Sequence, residues 1–265
     1  MPKYISTSVA IFFWLSIAIP IEAISISHHE AIRIGNKIWQ NECGGKVIGL
    51  TSWNEGEDFA SLGIGHFIWY PKGTRGPFEE SFPKLVTFIS SHGAKLPRFL
   101  QSASDSSCPW NSRREFNEAQ NSSEMKQLRQ FLVDAIDLQA EFMVARLQSA
   151  MPKMLNEAPL SQRANIQRQF DRVLSTIGGA YALIDYVNFK GEGVLSTERY
   201  NGQGWGLLQV LEGMSGSEKG VAVVEDFSRS AARVLTRRVR NSPPARNEAR
   251  WLPGWLNRIH TYSNA

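Results

Sequence analysis

Apolar residues recur at helical spacing near the start of the chain, at Ala31, Ile34, Ile38 and Trp39. Ser27 and Glu30 precede this stripe with the spacing of a capping box, which predicts where the helix begins. Gly44 and Gly45 follow it, and paired glycines are typical of a helix end. The pattern therefore predicts a first helix that closes at Glu42.

The spacing then changes from helical to strand-like. Residues 46–53 form a short mixed run, residues 54–56 carry a turn signal, and residues 59–70 form a second apolar run. The second run contains the string Ser61-Leu62-Gly63-Ile64-Gly65-His66, which we interpret as a glycine-rich strand. These features predict a small β-hairpin or a three-stranded sheet.

Helical spacing returns in the remainder of the chain, at residues 78–92, 125–154, 162–186, 207–211 and 221–239. Residues 101–123 are rich in Ser and Asn and predict a long surface segment. Residues 251–255 predict a short aromatic turn. We therefore predict an α+β, mainly α fold, with a lobe at residues 24–100, a helical lobe at residues 122–265 and a cleft between them.

The N-terminus resembles an export signal. Lys3 precedes an apolar run at residues 9–19, and Ala23 offers a small residue for cleavage. The run is short for a membrane span, so we predict that residues 1–23 are a signal peptide. The alternative is an uncleaved N-terminal anchor. Cleavage would leave residues 24–265 as a periplasmic or secreted protein with no stable membrane span.

Two cysteines occur, Cys43 and Cys108. In an exported chain an even pair is most simply one disulfide, and two free thiols are the alternative. A bridge at Cys43 would fix the end of the first helix and the direction of the neighbouring Glu42.

Charge and composition exclude several classes of function. The net charge of +4 and a pI near 9.1 are mild, and the C-terminal arginines spread over several helix faces, which argues against nucleic-acid binding. A basic surface favours association with an anionic cell-wall polymer. The histidines are scattered and no metal-ligand spacing appears, so we predict no metal. No dinucleotide or phosphate-loop motif occurs, so we predict no cofactor.

Carboxyl groups are the residues that could carry chemistry. Glu42 is our predicted general acid, because partial burial beside a tryptophan would raise its pKa and keep it protonated. Glu55, Glu57 and Asp58 compete for the role of second carboxylate. Since side chains alternate along a strand, the three cannot all line one groove.

Glu42, the acidic turn and the string from Ser61 to His66 together resemble phage-type lysozymes, over residues 28–70. In that family a glutamate ends the first helix, an aspartate lies in the hairpin and a threonine opens the glycine-histidine strand. By this resemblance Glu55 matches the aspartate and Ser61 the threonine, with Ser61 holding the attacking water. The spacing here is a few residues longer, and both partner residues are replaced by chemically similar ones.

The resemblance implies a lysozyme-like fold and the hydrolysis of peptidoglycan between N-acetylmuramic acid and N-acetylglucosamine. A non-catalytic glycan-binding or envelope protein and a lytic transglycosylase are the alternatives. His66 is then a candidate for substrate binding.

A second string, Gly206-Leu207-Leu208-Gln209, resembles goose-type lysozymes and lytic transglycosylases. Amide and aromatic side chains near it suit N-acetyl sugars, and the candidates for substrate binding are Asn188, Gln203, Trp205 and Gln209. In this interpretation Glu192 or Glu198 is the acid instead of Glu42.

Overall fold

A computed structural model describes residues 26–101, 108–176 and 178–264 of the chain. The predicted signal peptide, residues 1–23, lies outside the described residues. In chain order the α-helices are α1 (His28–Cys43), α2 (Phe82–Ser91), α3 (Arg113–Glu118), α4 (Ser123–Asp134), α5 (Ile136–Glu157), α6 (Leu160–Leu174), α7 (Gly179–Lys190), α8 (Leu207–Glu212), α9 (Val221–Asn241) and α10 (Leu252–His260).

Two small antiparallel sheets accompany the helices. One consists of β1 (Thr51–Ser52), β2 (Ala60–Leu62) and β3 (Phe67–Trp69) in that order, and the other of β4 (Arg199–Tyr200) and β5 (Gln203–Gly204). The prediction of a mainly helical α+β protein with a small sheet is confirmed. No helix in the three described ranges is both long enough and apolar enough to cross a bilayer.

Helix α1 forms where the sequence predicts it. The Ser27 hydroxyl accepts a hydrogen bond from the Glu30 backbone N–H at 3.2 Å, which caps the first turn. Gly44 ends the helix in the left-handed region, with φ of 58°. Glu42 therefore lies in the last turn of α1.

The glycine-histidine string is a strand followed by a turn, so the prediction of a continuous strand is wrong. Strand β2 ends at Leu62, and β3 begins at Phe67. Between them Gly63 and His66 have positive φ angles of 75° and 50°, which reverse the chain. The reversal brings His66 Nε2 within 3.3 Å of the Gly49 carbonyl oxygen and within 3.5 Å of Cys43 Sγ at the end of α1.

Several boundaries differ from the predictions. The second helix begins at Phe82, and Pro83 is tolerated there because the first turn of a helix needs no N–H donor. Residues 125–154 divide into α4 and α5 at Ala135. The predicted aromatic turn near residue 251 continues into α10.

The predicted surface segment at residues 101–123 contains helix α3 and buried aromatic rings. Trp110 and Phe116 pack edge to face, with ring centroids 5.1 Å apart. Residues 102–107 lie outside the described chain. The Ser and Asn content of the segment predicts an exposed loop, but Trp110 and Phe116 join it to the main hydrophobic core.

Helix α5 lies at the centre of the fold and packs against α1, α2, α6 and α7. A β-carbon at Gly35 of α1 would lie 2.5 Å from the β-carbon of Ala140, so the two helices can approach closely only with glycine there. The three-stranded sheet and the ends of α1, α7 and α10 surround the site described below.

Candidate active site

One cleft of about 940 Å³ opens between the three-stranded sheet and the C-terminal helices. Its lining comes from the end of α1, the hairpin of β1 and β2, the end of α7 and the segments on either side of α9. Acidic side chains in the lining include Glu42, Glu57, Asp58, Glu192 and Glu198. The size is that of a small-molecule or oligosaccharide site.

Glu42 is held by two cations. Arg258 Nη1 donates to Glu42 Oε1 at 2.5 Å, and His66 Nδ1 lies 3.3 Å from Oε2. Arg258 also makes a bidentate pair with the fully buried Asp185, at 2.8 and 2.6 Å. The Tyr262 hydroxyl donates to the same aspartate at 2.7 Å. This network fixes the direction of the Glu42 carboxyl.

Glu42 is a carboxylate at neutral pH. Burial by itself raises the pKa of Glu42, but the charges and hydrogen bonds of Arg258 and His66 outweigh it and lower the pKa to about 2. The expectation that burial keeps this carboxyl protonated is therefore wrong, because the sequence does not show the distant arginine that reaches it.

His66 is an imidazolium in this network. Burial lowers the pKa of His66, whereas contacts with Cys43 and Glu42 raise it more, to about 10. His66 Nε2 lies 3.5 Å from Cys43 Sγ and 3.3 Å from the Gly49 carbonyl oxygen. His66 lines the cleft, whereas Cys43 is not among the lining residues of the described chain. The Cys43 thiol therefore contacts the His66 imidazolium on the side that does not face the cleft.

The predicted disulfide between Cys43 and Cys108 is not formed, and both residues are free cysteines. The Cys43 thiol donates to the Gly49 carbonyl at 3.4 Å. Cys108 is buried beyond β3, where its backbone N–H donates to the Tyr70 carbonyl at 2.9 Å. Each cysteine thus has its own local partners, and the end of α1 is held by the ion pairs of Glu42 instead.

Glu57 is the glutamate of the hairpin turn that faces the cleft. Glu55 is exposed and is not among the lining residues of the described chain; its backbone carbonyl accepts from Arg250 at 3.4 Å. Glu57 is half-buried and accepts a hydrogen bond from Asn54 Nδ2 at 3.1 Å. Burial raises the pKa of Glu57. Asp58 also lines the cleft but is exposed.

Ser61 and Asn188 both contribute to the lining of the cleft. Ser61 is buried in β2 and contributes to the lining. Asn188 Nδ2 donates to the Gly65 carbonyl at 2.7 Å, which connects the end of α7 to the turn between β2 and β3. A β-carbon at Gly65 would lie 2.9 Å from the Asn188 amide, so glycine is required for this approach.

Glu198 is a cleft carboxyl whose pKa is raised, whereas that of Glu42 is lowered. It is 5% exposed, and burial raises its pKa to about 7. Arg238 and Arg146 lower the pKa by less than burial raises it. Glu192, by contrast, is paired with Lys153 at 2.7 Å. Glu198 therefore retains a proton at neutral pH in a substantial fraction of molecules.

The candidates for sugar binding fall into two groups. His66, Asn188 and Trp205 line the main cleft. Gln203 and Gln209 line a separate cavity of about 520 Å³. Gln209 has structural contacts, since its Oε1 accepts from the Gly206 N–H at 3.0 Å.

Cations and aromatic rings alternate along the C-terminal wall of the cleft. The Arg258 guanidinium lies 4.2 Å from the Phe189 ring centroid, and Lys190 Nζ lies 3.5 Å from that of Trp255. Arg238 lies 4.1 Å from the Trp205 ring centroid and makes two 2.8 Å hydrogen bonds with Glu248. Sequence reasoning missed Arg258, Arg238 and Glu248, because their contacts join residues far apart in the chain.

The described residues contain no group of three or more His, Cys, Asp or Glu side chains that could hold a metal ion. Comparisons with protein-family models, with curated proteins and with solved structures found no match. The function is therefore inferred from the chemistry of the cleft.

Proposed function

We propose that this protein cleaves the glycan strand of peptidoglycan by acid and base catalysis. The observation that carries the proposal is the separation of two carboxyl pKa values within one cleft, about 2 for Glu42 and about 7 for Glu198. Cleavage of a glycosidic bond needs one carboxyl that donates a proton and one that remains charged. The resemblance of residues 28–70 to phage-type lysozymes supports the same class of reaction, and we propose on the same ground that the fold is lysozyme-like.

The roles follow from the electrostatics. Glu198 donates its proton to the leaving oxygen of the glycosidic bond. Glu42, oriented by Arg258 and His66, remains a carboxylate that activates water or stabilises positive charge on the sugar ring. Glu57 takes the role predicted for Glu55, since of these two glutamates in the turn between β1 and β2 only Glu57 lines the cleft.

The substrate class follows from the lining. Trp255 is partly exposed and offers a ring for the apolar side of a sugar, whereas Trp205 is buried against Tyr200 and Arg238 and supports the wall of the cleft. Asn188 offers an amide for hydroxyl and acetamido groups. The bond would lie between N-acetylmuramic acid and N-acetylglucosamine, and export of the chain to the periplasm or outside would bring it to the cell wall.

The experiment measures the turbidity loss of purified cell-wall sacculi with the wild type and with Glu42→Gln, Glu198→Gln and Glu118→Gln. Glu118 is the matched control, because it is 65% exposed and pairs only at 4.0 Å with Arg114 on a surface helix. We expect a loss of at least about 100-fold for Glu42→Gln and for Glu198→Gln, since removing an acid or base typically costs that much. Full activity of Glu198→Gln with loss in Glu42→Gln would return the proton donor to Glu42.

A non-catalytic glycan-binding protein is the second candidate. It is favoured by the neutralisation of Glu42, whose carboxylate is already paired with both Arg258 and His66. It predicts saturable binding of glycan strands with no released product. Turbidity loss that depends on a cleft carboxyl would exclude this alternative.

A further inference from the structure

Lys190 is a buried cation that the proposed reaction does not use. It ends α7, is 9% exposed and lines the cleft. Its Nζ lies 3.8 Å from the Phe189 ring centroid and 3.5 Å from the Trp255 ring centroid. Among the hydrogen bonds and ion pairs of the described residues, none is made by its ammonium group.

The neighbouring arginines, unlike Lys190, are in ion pairs with carboxylates. Arg258 is paired with Asp185 and Glu42, and Arg238 is paired with Glu248. Each of these cations has its counter-charge within the fold. Lys190 has two ring faces, which attract a cation but provide no lone pair for an N–H donor.

The side chain of Lys190 is buried, but its Nζ is not among the buried polar atoms that lack a partner in the described chain, so its N–H groups open onto the cleft. Three N–H groups of an ammonium at the edge of a cleft can be satisfied by a ligand that enters the cleft. An anion is the best fit, because it supplies both the missing acceptor and the missing counter-charge. The ring of Trp255 beside the ammonium suits a sugar that carries this anion.

We propose that Lys190 is a carboxylate-binding subsite, which selects glycans whose sugars bear an acidic substituent over neutral glycans of the same length. This inference rests on the proposed function and names its substrate class more closely. In a peptidoglycan strand the carboxylate is the lactyl group of each N-acetylmuramic acid that carries no stem peptide, because a stem peptide converts that group into an amide. A chitin-type strand has no such carboxylate.

The surroundings of Lys190 also predict how the selection changes with pH. Burial and the charges of Arg238 and Arg258 lower the pKa of Lys190 well below its usual value, while Glu248 and Glu42 oppose this. A bound carboxylate favours the ammonium form, so binding is strongest where Lys190 is protonated. The affinity for an acidic glycan should therefore fall as Lys190 loses its proton, and the ionisation of Glu198 in the same cleft, whose pKa is about 7, acts in the same direction.

The test uses a tetrasaccharide of alternating N-acetylglucosamine and N-acetylmuramic acid and the same molecule with its lactyl carboxylates converted to amides. Binding is measured by tryptophan fluorescence in the cold, for the wild type, Lys190→Met and Lys37→Met. Lys37 is the matched control, because its Nζ also lies over a ring, 4.6 Å from that of Tyr181, and it does not line the cleft. Circular dichroism confirms that each variant is folded.

We expect the wild type and Lys37→Met to bind the carboxylate form about 10- to 100-fold more tightly, the usual value of a charge-assisted contact. Lys190→Met should lose this preference and keep its affinity for the amide form. Equal binding of both forms by the wild type, or an unchanged preference in Lys190→Met, would overturn the subsite while leaving glycan cleavage intact.

If Lys190→Met does not fold, Lys190→Gln takes its place, because glutamine is also a long side chain but has no charge. It should bind the carboxylate and amide forms equally, and a preference as large as that of the wild type would overturn the role of Lys190. Equal binding of both forms by the wild type overturns the subsite whether or not either variant folds. Failure of both glycans to bind would overturn the proposed function as well.

Discussion

Replacing Glu42 by glutamine should remove a pH-dependent part of the stability of the fold. The Glu42 carboxylate accepts from Arg258 at 2.5 Å and faces the His66 imidazolium, and its pKa falls from 4.5 to about 2. A shift of this size corresponds to about 3 kcal/mol, because one pKa unit equals about 1.4 kcal/mol. Glutamine has nearly the same shape but no charge.

The direction in which stability changes with pH follows from the linkage between proton binding and folding. A carboxyl whose pKa is lowered in the folded state adds stability above its unfolded pKa of 4.5, and this stability is lost as the pH falls through about 2. The raised pKa of His66, about 10, acts in a different range: its contribution is present below 6.5 and is lost as the pH rises toward 10. Measurements between pH 6 and pH 3 therefore isolate Glu42.

The assay is urea unfolding followed by tryptophan fluorescence at pH 6, 4.5 and 3, for the wild type, Glu42→Gln and Glu118→Gln. The wild type should exceed Glu42→Gln by about 3 kcal/mol in the free energy of unfolding at pH 6 and by less than half of that at pH 3. The exposed control should differ from the wild type by less than about 0.5 kcal/mol at every pH. A constant difference between the wild type and Glu42→Gln would refute the ion-paired state.

Three further outcomes are expected. The rate of wall cleavage should fall as the pH rises through about 7, because Glu198 then loses the proton that it donates, and Glu198→Gln should abolish this limb of the pH-rate profile. Dithiothreitol should shift the melting temperature by less than about 1 °C, since Cys43 and Cys108 are both free; a larger fall would reveal a disulfide. Gly65→Ala should lower the free energy of unfolding by about 1–3 kcal/mol, because its methyl group would strike the Asn188 amide, and an unchanged value in urea unfolding would contradict this packing.

Local signals in the sequence are sufficient for the first helix and for the position of the hairpin. Ser27, Glu30 and Gly44 act through backbone groups only a few residues away, so their pattern predicts both ends of α1. The string near Gly63 and His66 is ambiguous, since glycine occurs both in strands and in tight turns. The positive φ angles that decide for a turn are visible only in the fold.

The protonation states of the site could not be predicted in the same way. Glu42 lies next to Trp39 and Trp53 in the sequence pattern, and that neighbourhood predicts a raised pKa. In the fold, Arg258, which is 216 residues away in the sequence, donates a hydrogen bond to Glu42, and the pKa of Glu42 falls instead. Glu198 shows the converse, since its burial comes from the packing of segments that no local pattern connects.

Product analysis of digested cell wall tests the central claim most directly. Purified sacculi are incubated with the wild type and with Glu198→Gln, and the soluble fragments are analysed by mass spectrometry. The account predicts fragments that end in reducing N-acetylmuramic acid from the wild type and none from the variant. Anhydro-sugar ends would indicate transglycosylation instead of hydrolysis, and saturable binding of the wild type with no fragments would contradict a catalytic role for the cleft.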